Sequence, residues 1–238
     1  MIKPLPYTAL VEYKAWLNNK IILVTFKVRE PAEIDFKPGQ FINLNVADRE
    51  YRSYSICSEH RDKQCISIAA AVNYEGLGAN YIKSLEKGDT VYFIGPSGRF
   101  CLKEPLPARL VFVATGTGVA PFIPMLSYLK DTQYQGDVLL YFGIRSESDV
   151  IFKEELDNFM LSVPHFCYQI YVSRPENWFG NIGRVNGFIP VDFDAHYYLC
   201  GHPNMIDDML KKLSQENIPY DNIMFEKFTV KGNPINGS

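Results

Sequence analysis

Two glycines separated by one residue, Gly116 and Gly118, lie between two apolar stretches and mark the first candidate binding site. Residues 110–114 have the composition of a buried strand, and residues 119–129 form an apolar segment that predicts a helix. A strand that turns through glycines into a helix leaves backbone N–H groups unpaired at the positive end of the helix dipole. Such a turn suits a phosphate or a dinucleotide, although a ligand-free strand-to-helix connection has the same glycines.

A second candidate lies at the end of another predicted strand and combines four side chains: Arg52, Ser53, Tyr54 and Ser55. Here the arginine can hold a phosphate, the tyrosine can stack on a ring, and the last serine can donate a hydrogen bond to a ring nitrogen. An ordinary amphipathic strand has the same alternation, so the spacing alone leaves both interpretations open.

A third candidate is the stretch from Gly76 to Tyr81, in which two glycines lead into a short predicted helix. A helix start of this kind is a second possible phosphate site. A plain turn has the same composition, so this motif also needs support from the rest of the chain.

The composition is that of a globular protein and limits the classes of partner. The chain has 238 residues, of which 47% are hydrophobic and 21% charged, and its formal net charge at pH 7 is −3. A slightly acidic chain argues against a general nucleic-acid or membrane surface. No apolar run of about 18 residues predicts a spanning helix, and the first residues lack the apolar core of a signal peptide, so we expect a cytoplasmic protein.

The cysteines and histidines do not predict a metal centre. The five cysteines include no Cys-x-x-Cys pair, the spacing typical of iron–sulfur clusters and structural zinc; they are Cys57, Cys65, Cys101, Cys167 and Cys200. The four histidines include no His-x-x-x-His pair. We therefore expect free thiols and no metal ligands.

The first part of the chain is rich in short strands separated by turns, which is typical of a small closed barrel. The predicted strands span residues 7–13, 20–29, 41–46, 51–58, 64–72 and 90–94. A short helix is predicted at 80–85. Residues 103–108, with two prolines and two charges, interrupt the pattern and mark a domain boundary.

After this boundary, predicted strands alternate with predicted helices. The strands span 110–114, 138–142, 166–172, 196–200 and 222–228, and the helices span 119–130, 151–160 and 203–216. This alternation predicts a Rossmann-like parallel sheet that is covered on both faces and binds ligands at the carboxyl ends of its strands.

The candidate motifs occur in the order typical of the ferredoxin–NADP(H) reductase superfamily, which the chain resembles over nearly its whole length. Four motifs carry the resemblance: RSYS at 52–55, GLGANY at 76–81, ATGTGVAP at 114–121 and CGHPNM at 200–205. The resemblance implies a six-stranded antiparallel FAD-binding β-barrel at residues 1–104. It also implies an NAD(P)-binding α/β domain at residues 105–238.

On the flavin side, the resemblance implies roles for individual residues. The family's first motif supplies an arginine for the FAD pyrophosphate, a tyrosine that stacks on the isoalloxazine and a serine near flavin N5. Its second motif supplies a phosphate loop. The residues implied to bind FAD are Arg52, Ser53, Tyr54, Ser55, Gly78, Ala79, Asn80, Thr117 and Phe228.

On the nicotinamide side, the third and fourth motifs carry the matches. The residues implied to bind NAD(P) are Gly116, Thr117, Gly118, Pro121, Arg145, Ser173, Arg174, Cys200, Gly201 and Met205. Pro121 stands where the family has a proline, which accounts for the missing third glycine of the usual dinucleotide fingerprint. Cys200 matches the cysteine beside nicotinamide C4, although a buried thiol at a strand end is a common structural feature.

Three residues are implied to take part in catalysis. Ser55 is expected to stabilise charge or a proton at flavin N5, and Cys200 to shape the nicotinamide pocket. Glu226 matches a glutamate near the flavin in plant-type members, and a solvated strand-end charge is its alternative. The chain departs from the family pattern after Phe228, because ten residues follow it, and we expect that tail to be mobile.

The choice between NADPH and NADH depends on residues 173–174. Ser173 and Arg174 match the pair that contacts the 2′-phosphate in NADP-specific members, and Arg145 can add charge. The same stretch, with Trp178 and Gly180, also resembles NADH-using reductases of bacterial aromatic-ring oxygenases. We favour NADPH.

The implied function is electron transfer from NAD(P)H through FAD to ferredoxin, flavodoxin or an oxygenase component, by a protein expected to be a monomer. One alternative is a reductase of free flavin or quinone. Another is a non-catalytic flavin-binding electron-transfer subunit of a larger complex. Relatives of that last kind have a C-terminal cysteine cluster, which this sequence lacks.

Overall fold

The structure is a computed structural model that describes residues 3–228. Its first sheet is antiparallel and curled. The strands are β1 (Leu5–Trp16), β2 (Ile21–Glu30), β3 (Phe41–Ala47), β4 (Glu50–Ser55), β5 (Cys65–Ala71) and β6 (Thr90–Ser97). They lie in the order β4-β3-β6-β1-β2-β5. A bridge between Ile56 and Ile68 connects the end of β4 to β5, so the two edges of the sheet meet. The predicted six-stranded antiparallel barrel is confirmed.

Alternation of side chains fills the interior of this barrel. In β3, Ile42 and Leu44 are fully buried while their neighbours are half-buried. In β2, Val24 and Phe26 are fully buried in the same way. Because successive residues of a strand point to opposite faces, this pattern places one face of each strand in a shared apolar core.

Helix α1 (Leu77–Ser84) packs on the barrel core through Ala79 and Ile82. Its C-terminal end is held by Lys14 of β1, whose Nζ donates to the carbonyl oxygens of Lys83 and Leu85 at 2.6 Å each. A cation at this end also complements the helix dipole. The helix begins three residues before the predicted start at 80, directly after the glycine turn.

The second sheet is parallel. Its strands are β7 (Arg109–Thr115), β8 (Asp137–Ile144), β9 (Phe166–Val172), β10 (Asn181–Ile182), β11 (Ala195–Gly201) and β12 (Ile223–Lys227). They lie in the order β10-β9-β8-β7-β11-β12. The Rossmann-like parallel sheet predicted from the sequence is confirmed, and the two-residue strand β10 was not predicted because its sequence lies in a Gly- and Asn-rich segment.

Three helices follow strands of this sheet along the chain. They are α2 (Phe122–Asp131) after β7, α3 (Lys153–Ser162) after β8 and α4 (Pro203–Gln215) after β11. Helix α4 packs Met209 and Leu213 against one face of the sheet, in a core with Val111 and Val113. Phe112, on the opposite face of β7, is equally buried. Both faces of the sheet are therefore covered.

Helix α2 begins later than predicted. Residues Gly116–Val119 form a 3-10 turn, and Pro121 is the N-cap of the helix that follows. The apolar composition of residues 119–121 predicts a helix, but Gly116 and Gly118 favour a tighter turn.

Contacts divide the chain into two compact units. Among the described residues, the first comprises 3–106, 120–135 and 148–165, and the second comprises 107–119, 136–147 and 166–228. The domain boundary at 104/105 stays a prediction. Among residues 3–228, no helix is both long enough and apolar enough to span a membrane.

Candidate functional site

In the first unit, Arg52 and Tyr54 lie on the same face of β4. Strand alternation separates them from Ser53 and Ser55. The Arg52 guanidinium is exposed, and its Nη1 donates to Glu50 Oε2 at 3.0 Å and to the carbonyl oxygen of Tyr51 at 2.7 Å. The guanidinium therefore has N–H groups available for a ligand at the surface.

Gly78 brings the start of α1 against this face. A Cβ at Gly78 would lie 2.7 Å from Tyr54 Oη and 3.1 Å from Arg52 Cγ, so a larger residue would require these side chains to move. The structure thus brings the RSYS and GLGANY motifs together.

The start of α1 is suited to bind an anion. Gly76 is its N-cap and provides no side-chain hydrogen bond, and the first turn contains no acidic residue. The amides of that turn, at the positive end of the helix dipole, therefore receive no capping hydrogen bond from the N-cap residue. Together with the exposed guanidinium of Arg52, these groups fit the pyrophosphate of FAD.

Tyr54 is half-buried, and this burial is the main reason that the pKa of its hydroxyl is raised well above the usual value. The side chain therefore stays neutral at every physiological pH. A neutral, anchored ring is what stacking on an aromatic ligand requires.

The remaining FAD-side predictions fall in different places. The Ser53 hydroxyl donates to Asn43 Oδ1 at 2.8 Å across the β3–β4 hairpin. Ser55 is 8% exposed. Ala79 is buried in the barrel core, while Asn80 is exposed and its Nδ2 lies 3.5 Å from Glu75 Oε2. Ala79 can therefore contribute to phosphate binding only through its backbone.

In the second unit, the glycine turn packs directly on the end of β11. A Cβ at Gly118 would lie 2.2 Å from the carbonyl oxygen of Cys200 and 2.8 Å from Gly201 Cα. Gly201 has a φ of 132°, and a Cβ there would lie 2.3 Å from Thr115 Oγ1. Two backbones thus meet at a distance that no side chain permits.

Thr115 links the same two segments and was not singled out from the sequence. Its Oγ1 accepts a hydrogen bond from the backbone N–H of His202 at 2.9 Å. His202 is in turn the N-cap of α4, where its Nδ1 accepts from the N–H of Asn204 at 3.2 Å. Its position directly before the glycine turn is the sequence feature that could have identified Thr115.

This junction is the topological switch point of the parallel sheet. From β7, the chain proceeds to β8, β9 and β10 on one side, and β11 and β12 lie on the other. Ligands of open α/β sheets bind where the strand order reverses, outside the carboxyl ends of the strands. Thr115, Gly116, Cys200 and Gly201 all lie at that edge.

Cys200 is fully buried at the end of β11, beside Glu226 in the parallel register of β12. Burial, with a further contribution from the Glu226 charge, raises the pKa of the Cys200 thiol well above its usual value. The side chain is therefore a neutral thiol rather than a thiolate nucleophile. The backbone N–H of Phe228 donates to the carbonyl oxygen of Gly201 at 2.9 Å, so Phe228 also lies beside this site.

The loops after β8 and β9 bring the predicted phosphate-binding residues together. The N–H of Arg174 donates to the carbonyl oxygen of Arg145 at 2.8 Å, and the Ser173 hydroxyl donates to that of Ile144 at 3.2 Å. Both arginines are exposed. Within residues 3–228, neither guanidinium forms an ion pair or a hydrogen bond, so both can bind an anion.

Three other predictions lie around these elements. Thr117 lies half-buried in the 3-10 turn, and Pro121 is buried as the N-cap of α2. Met205 is 7% exposed and packs into the core beneath α4. The tail at 229–238 lies outside the described residues. No group of three or more His, Cys, Asp or Glu side chains in the described part of the chain is arranged to hold a metal ion.

Two family models match the chain. The oxidoreductase FAD-binding domain matches residues 8–101, and the oxidoreductase NAD-binding domain matches residues 112–211. The first range contains Arg52, Tyr54 and Gly78, and the second contains Gly118 and Cys200. FAD is thus the cofactor of the first domain, and the second domain binds a nucleotide of the NAD type.

Individual relatives match most of the chain. The electron transfer component of toluate 1,2-dioxygenase from Pseudomonas putida is 29% identical over 93% of the chain and 67% of that protein. Ferredoxin–NADP reductase B from Sorangium cellulosum is 27% identical over 96% of the chain and 100% of its own length. The chain spans only 59% of the related anthranilate 1,2-dioxygenase electron transfer component from Acinetobacter baylyi.

A solved structure supports the fold. The cytochrome P450 reductase GcoB of Amycolatopsis superposes with a TM-score of 0.87 at 23% identity, over 95% of this chain and 71% of that one. Taken with the two domain matches, these relatives show that the chain belongs to the ferredoxin–NADP(H) reductase superfamily of FAD- and NAD(P)-binding oxidoreductases.

Proposed function

We propose that this chain is a reductase that takes a hydride from NAD(P)H, NADPH being preferred, and delivers electrons to a redox protein. The observation that carries the proposal is that each unit contains a close glycine contact suited to a nucleotide, which we call its cradle. One is formed by Gly78 against Arg52 and Tyr54, and the other by Gly118 against the backbone of Cys200 and Gly201. When bound, FAD supplies the redox chemistry, since it accepts a hydride and releases electrons singly.

On the flavin side, the first-turn amides of α1 and the guanidinium of Arg52 hold the FAD pyrophosphate. Tyr54 stacks on the isoalloxazine, which its neutral and half-buried state supports. Ser55 provides a hydroxyl for flavin N5, consistent with its position at the buried end of β4. These roles orient the cofactor rather than change its chemistry.

On the nicotinamide side, the turn at Gly116–Val119 lines the dinucleotide at the switch point. Cys200 shapes the nicotinamide pocket as a neutral thiol, and Glu226 is the group in this segment that can hold a proton. The hydrogen bond between Thr115 Oγ1 and the N–H of His202 fixes the spacing of the two loops.

The preference for NADPH rests on Arg145 and Arg174. The 2′-phosphate that distinguishes NADPH from NADH is a dianion at neutral pH, and two exposed guanidinium groups on adjacent loops suit it. Ser173 adds a hydroxyl on the same segment.

The electron acceptor is proposed from the relatives. Since the relatives include electron transfer components of oxygenases and a ferredoxin–NADP reductase, the partner is a ferredoxin, a flavodoxin or an oxygenase component. All five cysteines are free thiols, which supports the expected location in the reducing cytoplasm. The protein is expected to act as a monomer.

Absorbance and turnover of the purified protein test the proposal. We expect a yellow protein with the absorbance bands of bound flavin, which NADPH bleaches faster than NADH under anaerobic conditions. Steady-state assays then compare ferredoxin, flavodoxin, free flavin and an artificial dye as acceptors. A protein that takes up no FAD contradicts the proposal outright. A flavoprotein that neither nucleotide reduces is instead a non-catalytic electron-transfer subunit.

A further inference from the structure

The loop that carries Arg174 is held by a side chain that the motifs did not single out. Glu147 lies in the short turn after β8, and its Oε1 accepts hydrogen bonds from the backbone N–H groups of Glu176 and Asn177 at 2.8 Å each. One carboxylate oxygen thus joins the loop after β8 to the loop after β9. We call these two hydrogen bonds the Glu147 clamp.

The clamp lies on the opposite side of Arg174 from a second set of contacts. Before Arg174, the N–H groups of Ser173 and Arg174 donate to the carbonyl oxygens of Ile144 and Arg145 at 3.0 and 2.8 Å. After Arg174, the next attachment is the clamp. Arg174 is therefore fixed at both ends to the loop that carries Arg145.

Pro175 makes this fixation short and stiff. It is the residue between Arg174 and the clamp, it has no N–H of its own, and its ring fixes φ. A displacement of residues 176–177 should therefore also displace Arg174, because few rotatable backbone bonds lie between them.

The carboxylate of Glu147 is held in its charged form by the same amides. Its own backbone N–H and those of Asn177 and Glu176 lower the pKa of the Glu147 carboxyl below its usual value. A negative charge close to Arg145 and Arg174 by itself disfavours a phosphate. Its presence there is explained by hydrogen bonding to the loop rather than by ligand binding.

We propose that Glu147 is a positioning residue for recognition of the 2′-phosphate of NADPH, because its clamp holds Arg174 at a fixed place beside Arg145. This inference rests on the proposed preference for NADPH. Loss of the hydrogen bonds of Glu147 should weaken binding of the 2′-phosphate, whereas loss of its negative charge alone should not. Two substitutions separate these effects.

The first measurement is binding of nucleotide fragments to the FAD-loaded protein by titration calorimetry, without turnover. The probes are adenosine 2′,5′-bisphosphate and adenosine 5′-monophosphate, which differ in the 2′-phosphate. Glu147→Ala removes the clamp and should weaken the bisphosphate about tenfold while changing the monophosphate less than about twofold. Glu147→Gln retains an oxygen acceptor but loses the charge, so the bisphosphate should bind as well as to the wild type or slightly better.

Steady-state kinetics provide the second measurement. Glu147→Ala should raise KM for NADPH by about the same factor as the fragment affinity falls, with kcat unchanged, and should leave both parameters for NADH near wild type. Glu216→Ala removes an exposed carboxylate at the end of α4 in the same unit and serves as the matched control. It should alter neither nucleotide.

Arg174→Ala distinguishes failure of this inference from failure of the NADPH proposal. It should weaken the bisphosphate about 10- to 100-fold, as expected for loss of a charged hydrogen bond, and addition of Glu147→Ala should then have little further effect. If Arg174→Ala weakens both fragments alike, the 2′-phosphate site itself is wrong. If Arg174→Ala is selective but Glu147→Ala is neutral, equally harmful to both fragments or matched by Glu147→Gln, the clamp has no role in recognition.

Discussion

The two cradles use glycine in different ways. At Gly78, a Cβ would meet side-chain atoms of Tyr54 and Arg52, whereas at Gly118 it would meet the backbone of Cys200 and Gly201. Side chains can rotate away from an added methyl group, but a backbone carbonyl inside a parallel sheet cannot. The cradle in the first unit is thus formed by side chains of β4 packed against the start of α1. The cradle in the second unit is formed by two backbone segments in contact. The two should respond differently to the same substitution.

The largest effect is expected from Gly118→Ala. The added Cβ lies 2.2 Å from the carbonyl oxygen of Cys200, so the turn must move, and a displacement of about 1 Å at a reacting site can cost about 100-fold in rate. We expect flavin reduction by NADPH to fall by at least that factor. Anaerobic stopped-flow absorbance measures it.

Gly116→Ala is the matched control for Gly118→Ala. Gly116 has a φ of 56° but no atom within 4 Å of its Cβ position, so alanine there costs only the conformational strain of about 1–2 kcal/mol. Its rate should stay far closer to wild type. Bound FAD should be retained in both variants, and a Gly118→Ala protein that reduces flavin as fast as Gly116→Ala would contradict the backbone-contact interpretation.

Arg52→Ala should have the next largest effect, on the other cradle. Loss of a guanidinium that binds phosphate removes charged hydrogen bonds worth about 1.5–3 kcal/mol, so FAD should bind about 10- to 100-fold more weakly. The flavin-to-protein absorbance ratio after gel filtration measures retention. Arg29→Ala, at an exposed arginine of β2, is the control and should retain FAD. Equal FAD content in the two variants would show that Arg52 does not hold the pyrophosphate.

The sequence predicted the parts of these cradles better than their contacts. Both sheets, with strand ends within a few residues, followed from apolar alternation and from the change of rhythm after residue 108. The motifs identified Gly78 and Gly118. The contact of Gly118 with Cys200 joins residues 82 positions apart, however, and no local pattern reports such a distance. Thr115 and Glu147 were missed for the same reason, since each acts through a hydrogen bond to a distant backbone N–H.

A smaller effect is expected from Gly78→Ala. Its Cβ would approach Tyr54 Oη at 2.7 Å, and both Tyr54 and Arg52 can adjust by rotation about side-chain bonds. We expect FAD to bind about three- to tenfold more weakly, roughly the cost of an off-rotamer side chain or two. Fluorescence of released flavin during dilution gives the affinity. Complete loss of FAD, as severe as in Arg52→Ala, would show that this cradle is as rigid as the one around Gly118.

The smallest effect is expected from Cys200→Ala, which tests what the second cradle does once the nucleotide is bound. Alanine keeps the backbone contact with Gly118 and removes only the sulfur, so NADPH affinity should hold while flavin reduction slows by about threefold or less. Because burial raises the pKa of the thiol above its usual value, Cys200 stays protonated as the pH rises, and the ratio of wild-type to variant rates should be constant between about pH 7 and pH 9. Cys167→Ala, at an exposed thiol, is the control. A ratio that changes in this range would mean that Cys200 titrates during the reaction, and hence that the sulfur takes part as a base rather than as a wall of the pocket.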